Sequence, residues 1–390
     1  MTSTGHRSTL LWLLPMLLLS GCASFHDFMD TRFPRTVEEP RVPLAERVRL
    51  DPIDANVFVL ESEDQQIVGA PQLVFTRESD TLSQIARDYG LGYDEITDAN
   101  PDVDPWLPGE GTPILLPTQF VLPEGTQKGI VLNIASKRLF YYPPVGDDGV
   151  RKVITYPIGI GRVGWETPLG SASVVSKARD PHWWVPSSVR KEHAEMGDPL
   201  PAVVPPGPDN PLGRFVLKLD MPGYLIHGTN QPYGVGMRVS HGCVRLYPEN
   251  IEALYPLVAL GADVMIVNQP LLAGWRDGEL LVEAHTPLED DTVSPAEHLD
   301  ALMARLREDL PETAMERLRS NVEAVATDGF GVPARVMLND LDEVYERARV
   351  VRNIVVADPD VPTLAEVREL LDTPVDDVEA DGADGELPRE

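Results

Sequence analysis

The most informative stretch of the sequence is HGTNQPYGVGMRVSHGCVRL, residues 227–246. It contains His227, His241 and Cys243, so two of the chain's eight histidines lie close in sequence to a thiol. A thiol attacks as its thiolate, and an ordinary thiol with a pKa of ~8.5 carries little thiolate at neutral pH. An imidazole within hydrogen-bonding distance can take that proton. The pattern therefore predicts that the fold brings His227 beside Cys243, as a general base beside a nucleophile.

Two glycines next to these residues predict how the pair is held. His227 is expected to end a strand, and the carbonyl of Gly228 can orient the imidazole as a carboxylate or amide does in other enzymes. Gly242 allows close backbone approach and can turn an N–H group toward a developing oxyanion. The N–H groups of Gly242 and Cys243 are therefore the predicted oxyanion-binding donors.

The chain on either side of this stretch, residues 127–268, alternates in the manner of strands and predicts a mostly-β domain. Residues 179–214 interrupt it and are rich in Pro and Gly. A long segment without regular structure is usually functional, so we expect a wall or lid of the site. Trp183 and Trp184 within it favour a substrate wall; a surface insertion, with the tryptophans in the core, is the alternative.

Four short motifs together resemble the L,D-transpeptidase family, with its YkuD-type catalytic domain. They are His-Gly-Thr at 227–229, Ser-His-Gly-Cys-x-Arg-Leu at 240–246, Gly-Ile-Gly at 159–161 and Thr-Pro-x-Gly at 167–170. The resemblance implies a sandwich-like catalytic domain over residues 127–268. It implies a cysteine acyltransferase that needs no metal or organic cofactor.

The resemblance also extends the predicted site. The predicted catalytic residues are Cys243, His227, Gly228, Gly242, His241 and Ser240. The predicted substrate-binding residues are Arg245, Trp183, Trp184 and Asn230. A guanidinium suits a substrate carboxylate, although Arg245 could instead pair with Glu249 or Glu252. A zinc site formed by His227, His241 and Cys243, as in a metal-activated hydrolase, is the competing chemistry.

The reaction that the family implies takes place on peptidoglycan. Cys243 attacks the carbonyl of the third stem-peptide residue, diaminopimelate, and D-Ala leaves as a thioester forms. An amine of another stem gives a 3→3 cross-link, the terminal Lys of a lipoprotein gives a covalent anchor, and water gives carboxypeptidase or hydrolase activity. The competing hypothesis from another class is a non-catalytic tether between membrane and wall.

Residues 72–118 resemble a LysM module with the element order βααβ. The matching features are Thr81-Leu82-x-x-Ile85-Ala86, Tyr89, Ile96, Asn100 and Ile114-Leu115-Leu116-Pro117. Ser79 stands where such modules usually have glycine. The resemblance implies binding of N-acetylglucosamine-containing glycans, chiefly peptidoglycan; a packing module without a ligand is the alternative. With the LysM-like segment, the chain looks like the Gram-negative, LysM-containing branch of the family.

The N-terminus has the pattern of an export signal. An apolar run from Leu10 to Leu19 is too short to span a bilayer and leads to Leu-Ser-Gly-Cys at 19–22, which resembles a bacterial lipobox. We therefore expect a signal peptide at 1–21, lipidation at Cys22, and a tether over 22–71. Ala23 after the cysteine favours a periplasm-facing position on the outer membrane of a Gram-negative bacterium. A plain signal peptide is the alternative.

Composition and the C-terminal pattern complete the organisation. The 390 residues suggest two or three domains, and a net charge of −29 disfavours nucleic acid and charge-driven binding to anionic lipid. A capping box at 294–297 opens a run of apolar residues at helical spacing, which predicts a helical region over 294–372. Residues 373–390 are an acidic tail. The predicted fold class is thus multi-domain, with a LysM module, a mostly-β catalytic domain and a helical C-terminal region.

Overall fold

The fold is described from a computed structural model. The described residues are 43–147, 149–308, 310–336 and 341–355. The predicted signal peptide, Cys22 and the acidic tail lie outside these ranges, as do residues 356–372 of the predicted helical region. Within the described ranges, every helix is too short or too polar to cross a bilayer.

Strands dominate the central part of the chain and helices its C-terminal part. The strands are β1 (Val57–Leu60), β2 (Ile67–Gly69), β3 (Gln72–Phe75), β4 (Pro113–Leu116), β5 (Gln119–Val121), β6 (Gly129–Asn133), β7 (Arg138–Tyr142), β8 (Arg151–Pro157), β9 (Ile160–Gly161), β10 (Gly170–Arg179), β11 (Trp183–Trp184), β12 (Val203–Val204), β13 (Phe215–Leu219), β14 (Leu225–His227), β15 (Arg238–Ser240), β16 (Val244–Arg245), β17 (Asp263–Val267), β18 (Leu271–Arg276), β19 (Glu279–Ala284), β20 (Ala334–Arg335) and β21 (Arg349–Val350). The helices are α1 (Leu82–Asp88), α2 (Tyr93–Asp98), α3 (Ser187–Glu195), α4 (Pro248–Leu254), α5 (Pro295–Leu306), α6 (Glu312–Asp328) and α7 (Leu341–Arg347).

A single nine-stranded sheet supports the predicted catalytic region, in the order β1-β8-β7-β6-β17-β10-β13-β14-β16. The strand β10 joins its two halves, because residues 170–173 pair with β17 and residues 174–179 pair with β13, with a register shift at Val174. Side chains of both halves share one buried core. The sandwich-like prediction is therefore corrected: this is a mixed α/β protein whose sheet is continuous through β10. The alternation of apolar and polar residues along a strand shows which of its faces is buried. It does not show that a single strand, β10, pairs with strands of both halves of the sheet.

The segment predicted to be a tether is partly built into the sheets. β1 forms the edge of the nine-stranded sheet beside β8, with Val57 opposite Ile154. β2 pairs with β5, with Ile67 opposite Val121. A short run of alternating apolar residues forms a strand where the edge of a sheet is available to pair with it. The sequence of the run does not show whether such an edge exists. The described part of 22–71 thus joins the domain well before residue 71.

The LysM-like segment has the expected element order, β3, α1, α2 and β4, with β3 antiparallel to β4. Thr81 caps α1 through a capping box with Gln84, and Leu82 and Ile85 are fully buried. Identification of this unit as a LysM module remains a prediction.

The C-terminal region is not purely helical. β18 and β19 form a hairpin joined by β20, and α5 and α6 pack on it through a shared apolar core. β21 then returns to the LysM-like unit and pairs in parallel with β3. Two-residue strands such as β20 and β21 are too short to leave a period in the sequence, so the prediction recognised only the helices.

Arg138 connects the LysM-like unit to the nine-stranded sheet through an ion pair and hydrogen bonds. Its side chain is fully buried, with bonds of 2.6 and 2.9 Å to the Glu95 carboxylate of α2 and one of 2.9 Å to the Gly90 carbonyl. Its guanidinium lies 4.1 Å from the centroid of the Phe120 ring. The two parts are therefore joined by a buried ion pair.

Replacing Arg138 with methionine is expected to lower the free energy of unfolding by about 3–5 kcal/mol, because the nearly buried Glu95 carboxylate loses its counter-ion. Urea denaturation measures this. Arg87→Ala breaks the exposed pair with Glu249, which also joins the LysM-like unit to the catalytic region, and should cost no more than about 1 kcal/mol. Equal effects of the two changes would contradict the prediction.

Candidate active site

His227 ends β14 and is buried among protein atoms. Its Nδ1 lies 2.6 Å from the carbonyl oxygen of Gly228, as the sequence suggested. A carbonyl only accepts hydrogen bonds, so Nδ1 carries the proton and Nε2 of the neutral ring keeps its lone pair. Burial, helped by the nearby Arg245 charge, lowers the pKa of His227 to about 3. The ring is therefore held neutral, in the tautomer that a general base requires.

Cys243 immediately precedes β16, which pairs in parallel with β14. The register sets Ile226 opposite Val244, and both of these enter the core, while His227 lies opposite Arg245. Successive side chains alternate between the faces of a strand, so Cys243 and Arg245 lie toward the face of His227. Arg245 interacts electrostatically with both the thiol and the imidazole. The sheet register thus brings together the two predicted catalytic motifs.

The Cys243 thiol is free, half-buried and within 3.6 Å of the Gly223 carbonyl. Burial raises its pKa, against smaller opposing effects of the Leu225 backbone and the Arg245 charge. Since the pKa of the imidazole is lowered, both shifts favour a neutral thiol beside a neutral imidazole rather than an ion pair. As the predicted general base, His227 would therefore remove the thiol proton while the sulfur attacks.

Alkylation of Cys243 by iodoacetamide should report this neutral pair. Because the pKa of the thiol is raised, we expect the rate to climb with pH and reach half its maximum above the ordinary value of ~8.5. Rates measured by intact mass from about pH 6 to about pH 10 test it, with free cysteine as the control. A rate already at its plateau near pH 6 would indicate a preformed thiolate–imidazolium pair instead.

The turn before Cys243 is held by Ser240. Its hydroxyl accepts from the Gly242 N–H at 3.2 Å and donates to the Cys243 carbonyl at 2.6 Å. Gly242 has φ +98°, and an added Cβ would approach the Tyr224 ring to 3.0 Å, so glycine is required here. The Gly242 N–H is engaged by Ser240, which leaves the Cys243 N–H, without an acceptor in the described part of the chain, as the oxyanion donor candidate.

Thr167 also fixes this turn, and sequence reasoning gave it no role in the site. Its hydroxyl donates to the Gly242 carbonyl at 2.9 Å and accepts from the Gly161 N–H at 3.1 Å. A Cβ on Gly161 would lie 1.9 Å from the Trp165 carbonyl oxygen. The Gly-Ile-Gly and Thr-Pro-x-Gly motifs were the available signal, because they supply the two residues that contact the turn.

His241, a predicted catalytic residue, contacts α3. Its Nε2 lies 2.8 Å from a carboxylate oxygen of Glu192 on α3, and the Trp165 ring packs edge-on at 4.8 Å between centroids. Sequence reasoning missed Glu192, because nothing in the local pattern of α3 predicts a partner 49 residues away.

Arg245 is half-buried, and its Nε is a buried donor for which the described residues supply no hydrogen-bond partner. The alternative that it pairs with a nearby acid is not observed. Glu249 instead pairs with Arg87, and Glu252 with Arg214. Neither of these acids therefore engages the guanidinium, and its binding of a substrate carboxylate remains a prediction.

The segment 179–214 is not without structure. β11, which consists of Trp183 and Trp184, pairs with β12, and α3 lies between them. Trp183 is half-buried and Trp184 is 74% exposed, so neither is part of the core. Asn230 is exposed on the loop after β14. Strands of two residues and a short helix are too short to show a recognisable hydrophobic periodicity, so the sequence did not predict them.

Metal binding by the site residues has no geometric support. In the ranges that the structure describes, no three His, Cys, Asp or Glu side chains are grouped so that they could hold a metal ion. The competing zinc hypothesis used His227, His241 and Cys243, but Nδ1 of His227 faces a carbonyl and Nε2 of His241 faces Glu192.

Comparison with known proteins identifies the family of this chain. A family model of the L,D-transpeptidase catalytic domain, YkuD, matches residues 127–267. The probable L,D-transpeptidases YbiS and YcfS of Escherichia coli K12 are each 40% identical, over 60% and 61% of this chain and 76% and 75% of their own lengths. The catalytic domain of the Enterococcus faecium L,D-transpeptidase, solved by NMR, is 22% identical with a TM-score of 0.28, over 37% of this chain and 100% of that one. At this identity, over about three quarters of the length of these relatives, the chain belongs to the L,D-transpeptidase family.

Proposed function

We propose that this L,D-transpeptidase uses Cys243 to attack the carbonyl of the third stem residue, diaminopimelate, of a peptidoglycan tetrapeptide. The observation that carries the proposal is the register of β14 against β16, which supports a Cys243 that lies near His227, whose Nδ1 donates to the Gly228 carbonyl. Nε2 takes the thiol proton as the carbon–sulfur bond forms. The protonated imidazole then gives that proton to the departing amine, so D-Ala leaves and a thioester remains.

The second half of the reaction reverses the roles. An incoming amine attacks the thioester, loses a proton to His227, and forms an amide as the Cys243 thiolate leaves and is reprotonated. A stem diaminopimelate would give a 3→3 cross-link, and the terminal Lys of a lipoprotein would give a wall anchor. Water in place of the amine would give a carboxypeptidase. The same pair of side chains serves all three acceptors.

Arg245 supports a donor that carries a carboxylate close to the scissile bond. A buried guanidinium nitrogen without a partner is costly, and a bidentate carboxylate would satisfy it. Diaminopimelate and D-Ala both carry such groups. The exposed Trp184, with Trp183 and Asn230, supports a wall along which the stem peptide binds.

Location and glycan binding form part of the same proposal. The lipobox-like sequence at 19–22 supports a lipid on Cys22 that holds the enzyme in the periplasm, at the outer membrane. The unit of β3, α1, α2 and β4 supports glycan recognition next to the catalytic sheet. The mass of the N-terminal peptide tests the first, and co-sedimentation of the full chain with purified sacculi tests the second.

Intact-protein mass spectrometry tests the reaction. The chain is incubated with a disaccharide tetrapeptide, and the expected adduct equals the substrate minus D-Ala. Separate additions of a stem-peptide amine, a lysine-terminated peptide and buffer alone identify the acceptor by which product releases the enzyme. Absence of any adduct, together with retained binding to sacculi, would favour the non-catalytic tether.

A further inference from the structure

Few side chains hold the helix α3 onto the protein. Val189 is buried and Glu192 and His193 are half-buried, whereas the other residues of this helix are exposed. These three positions are related by i, i+3 and i+4 and therefore share one face. A single buried valine provides little hydrophobic stabilisation. The polar contacts of the same face must therefore contribute much of what fixes α3.

Glu192 makes the strongest of these contacts. One carboxylate oxygen accepts a short hydrogen bond from the Arg162 guanidinium, and the other lies 2.8 Å from Nε2 of His241. The bonds from Arg162 and His241 hold the pKa of the Glu192 carboxyl below its ordinary value, so the group is ionised. Charge-assisted bonds of this kind are about twice as strong as neutral ones.

Both partners of Glu192 belong to the structure that carries the nucleophile. Arg162 follows β9, and its backbone N–H donates to the Ser240 carbonyl at 3.1 Å. His241 lies in the Ser-His-Gly-Cys turn itself, two residues before Cys243. One carboxylate therefore joins α3 to the turn from two directions.

We propose that Glu192 is a positioning residue of this enzyme, whose carboxylate anchors α3, and with it the segment 179–214, to the turn that carries Cys243. It does not touch the reacting atoms. It acts through His241, whose backbone sets the turn, and through Arg162. The inference rests on the proposed function for its effect on rate, but the anchoring itself is independent of it.

The chemistry of His241 explains why a carboxylate is needed at this point. An ionised carboxylate only accepts, so Nε2 of His241 carries the proton and donates to Glu192. The Arg162 guanidinium, which only donates, lies 3.2 Å from the same Nε2. A glutamine at this position keeps one acceptor oxygen in place of two, so it could accept from Arg162 or from His241 but would present an N–H group to the other.

The charges around His241 give a second measurable consequence. Glu192 and His193 face it from α3, Arg162 faces it from the chain after β9, and Arg245 acts on it from β16. Burial lowers the pKa of His241, and Glu192 opposes that shift. Loss of the carboxylate leaves the two arginines unopposed, so the pKa of His241 should fall further in Glu192→Gln.

The test compares Glu192→Gln with Glu195→Gln in the full chain. Glu195 lies on the same helix and is exposed, and among the described residues its carboxylate pairs with Lys191, at 3.8 Å. For Glu192→Gln we expect acylation of Cys243 by ertapenem to slow about tenfold, the amides of α3 to lose hydrogen-exchange protection, and the imidazole resonance of His241 to titrate at lower pH. Glu195→Gln should match the wild type in all three. Ertapenem is the probe because it acylates the Enterococcus faecium catalytic domain.

His241→Gln removes the other end of the bond and serves if Glu192→Gln does not fold. Release of α3 in this variant would support the anchoring, whereas wild-type exchange of α3 in either variant would overturn it. A folded Glu192→Gln that acylates at the wild-type rate would overturn the positioning role. If the wild type itself is not acylated, the proposed function fails, while exchange of α3 and the titration of His241 still test the anchor.

Discussion

Replacing Cys243 with alanine is expected to abolish the thioester adduct, with both a tetrapeptide donor and ertapenem. The chemical step needs a sulfur atom to bond the substrate carbonyl, and no other cysteine is present in the described residues. Removing the nucleophile of a comparable acyl-transfer site lowers the rate by about 10⁴-fold or more. Intact-protein mass spectrometry measures it, as the fraction of chains that carry the adduct after a fixed time.

The change should leave the fold intact. The thiol is half-buried and makes weak hydrogen bonds with the Gly223 carbonyl and the Leu225 backbone, so alanine removes little packing. Thermal unfolding of the variant is therefore the matched control and should nearly superimpose on the wild type. An adduct of the same mass on the folded variant would refute Cys243 as the nucleophile.

His227→Gln is expected to slow acylation at neutral pH by about 10³-fold, because an amide cannot take the thiol proton. The structure adds a signature of its own. With the pKa of the thiol raised by burial, little thiolate forms unaided, so the variant's rate should rise about tenfold per pH unit until the thiol ionises. The acylation rate with ertapenem, followed by mass from about pH 6 to about pH 10, tests both.

The control for this variant is a half-buried histidine. His298 on α5 pairs with Asp291 at 2.8 Å, outside the site, and His298→Gln should acylate at the wild-type rate. A purely structural role for His227 predicts a slow rate at every pH, together with a lowered unfolding temperature. A folded His227→Gln with a normal rate at neutral pH would show that another group removes the proton.

Much of the chemistry could be read from short motifs, because catalytic residue types are scarce and their spacing is specific. His227, Gly228 and Cys243 were identified from one stretch of twenty residues, and the carbonyl contact at 2.6 Å is where the pattern placed it. Ser240 was included from the motif alone. Its actual contacts, which engage the Gly242 N–H and leave the Cys243 N–H as the candidate oxyanion donor, depend on torsion angles that a sequence does not specify.

Long-range contacts account for what the sequence did not predict. Glu192 reaches His241, Thr167 reaches Gly242, and β1 pairs with β8, across separations that carry no local period. The continuity of the sheet through β10 and the return of β21 to β3 have the same origin. The local sequence around each of these residues is compatible with several different long-range contacts. Which of these contacts forms is determined only by the packing of the whole fold.

The amino-acid sequence was sufficient to identify the candidate reacting atoms: a sulfur, an imidazole and the glycines that let the backbone approach them closely. Their protonation states and the contacts that hold them became apparent only from the folded structure. The depth of burial makes the pair neutral, and the parallel register of two short strands brings Cys243 to His227. A carboxylate from α3 contacts the turn between them. The physical reason is that reactivity belongs to residue type, whereas the pKa and the geometry belong to the surroundings, which distant parts of the chain supply.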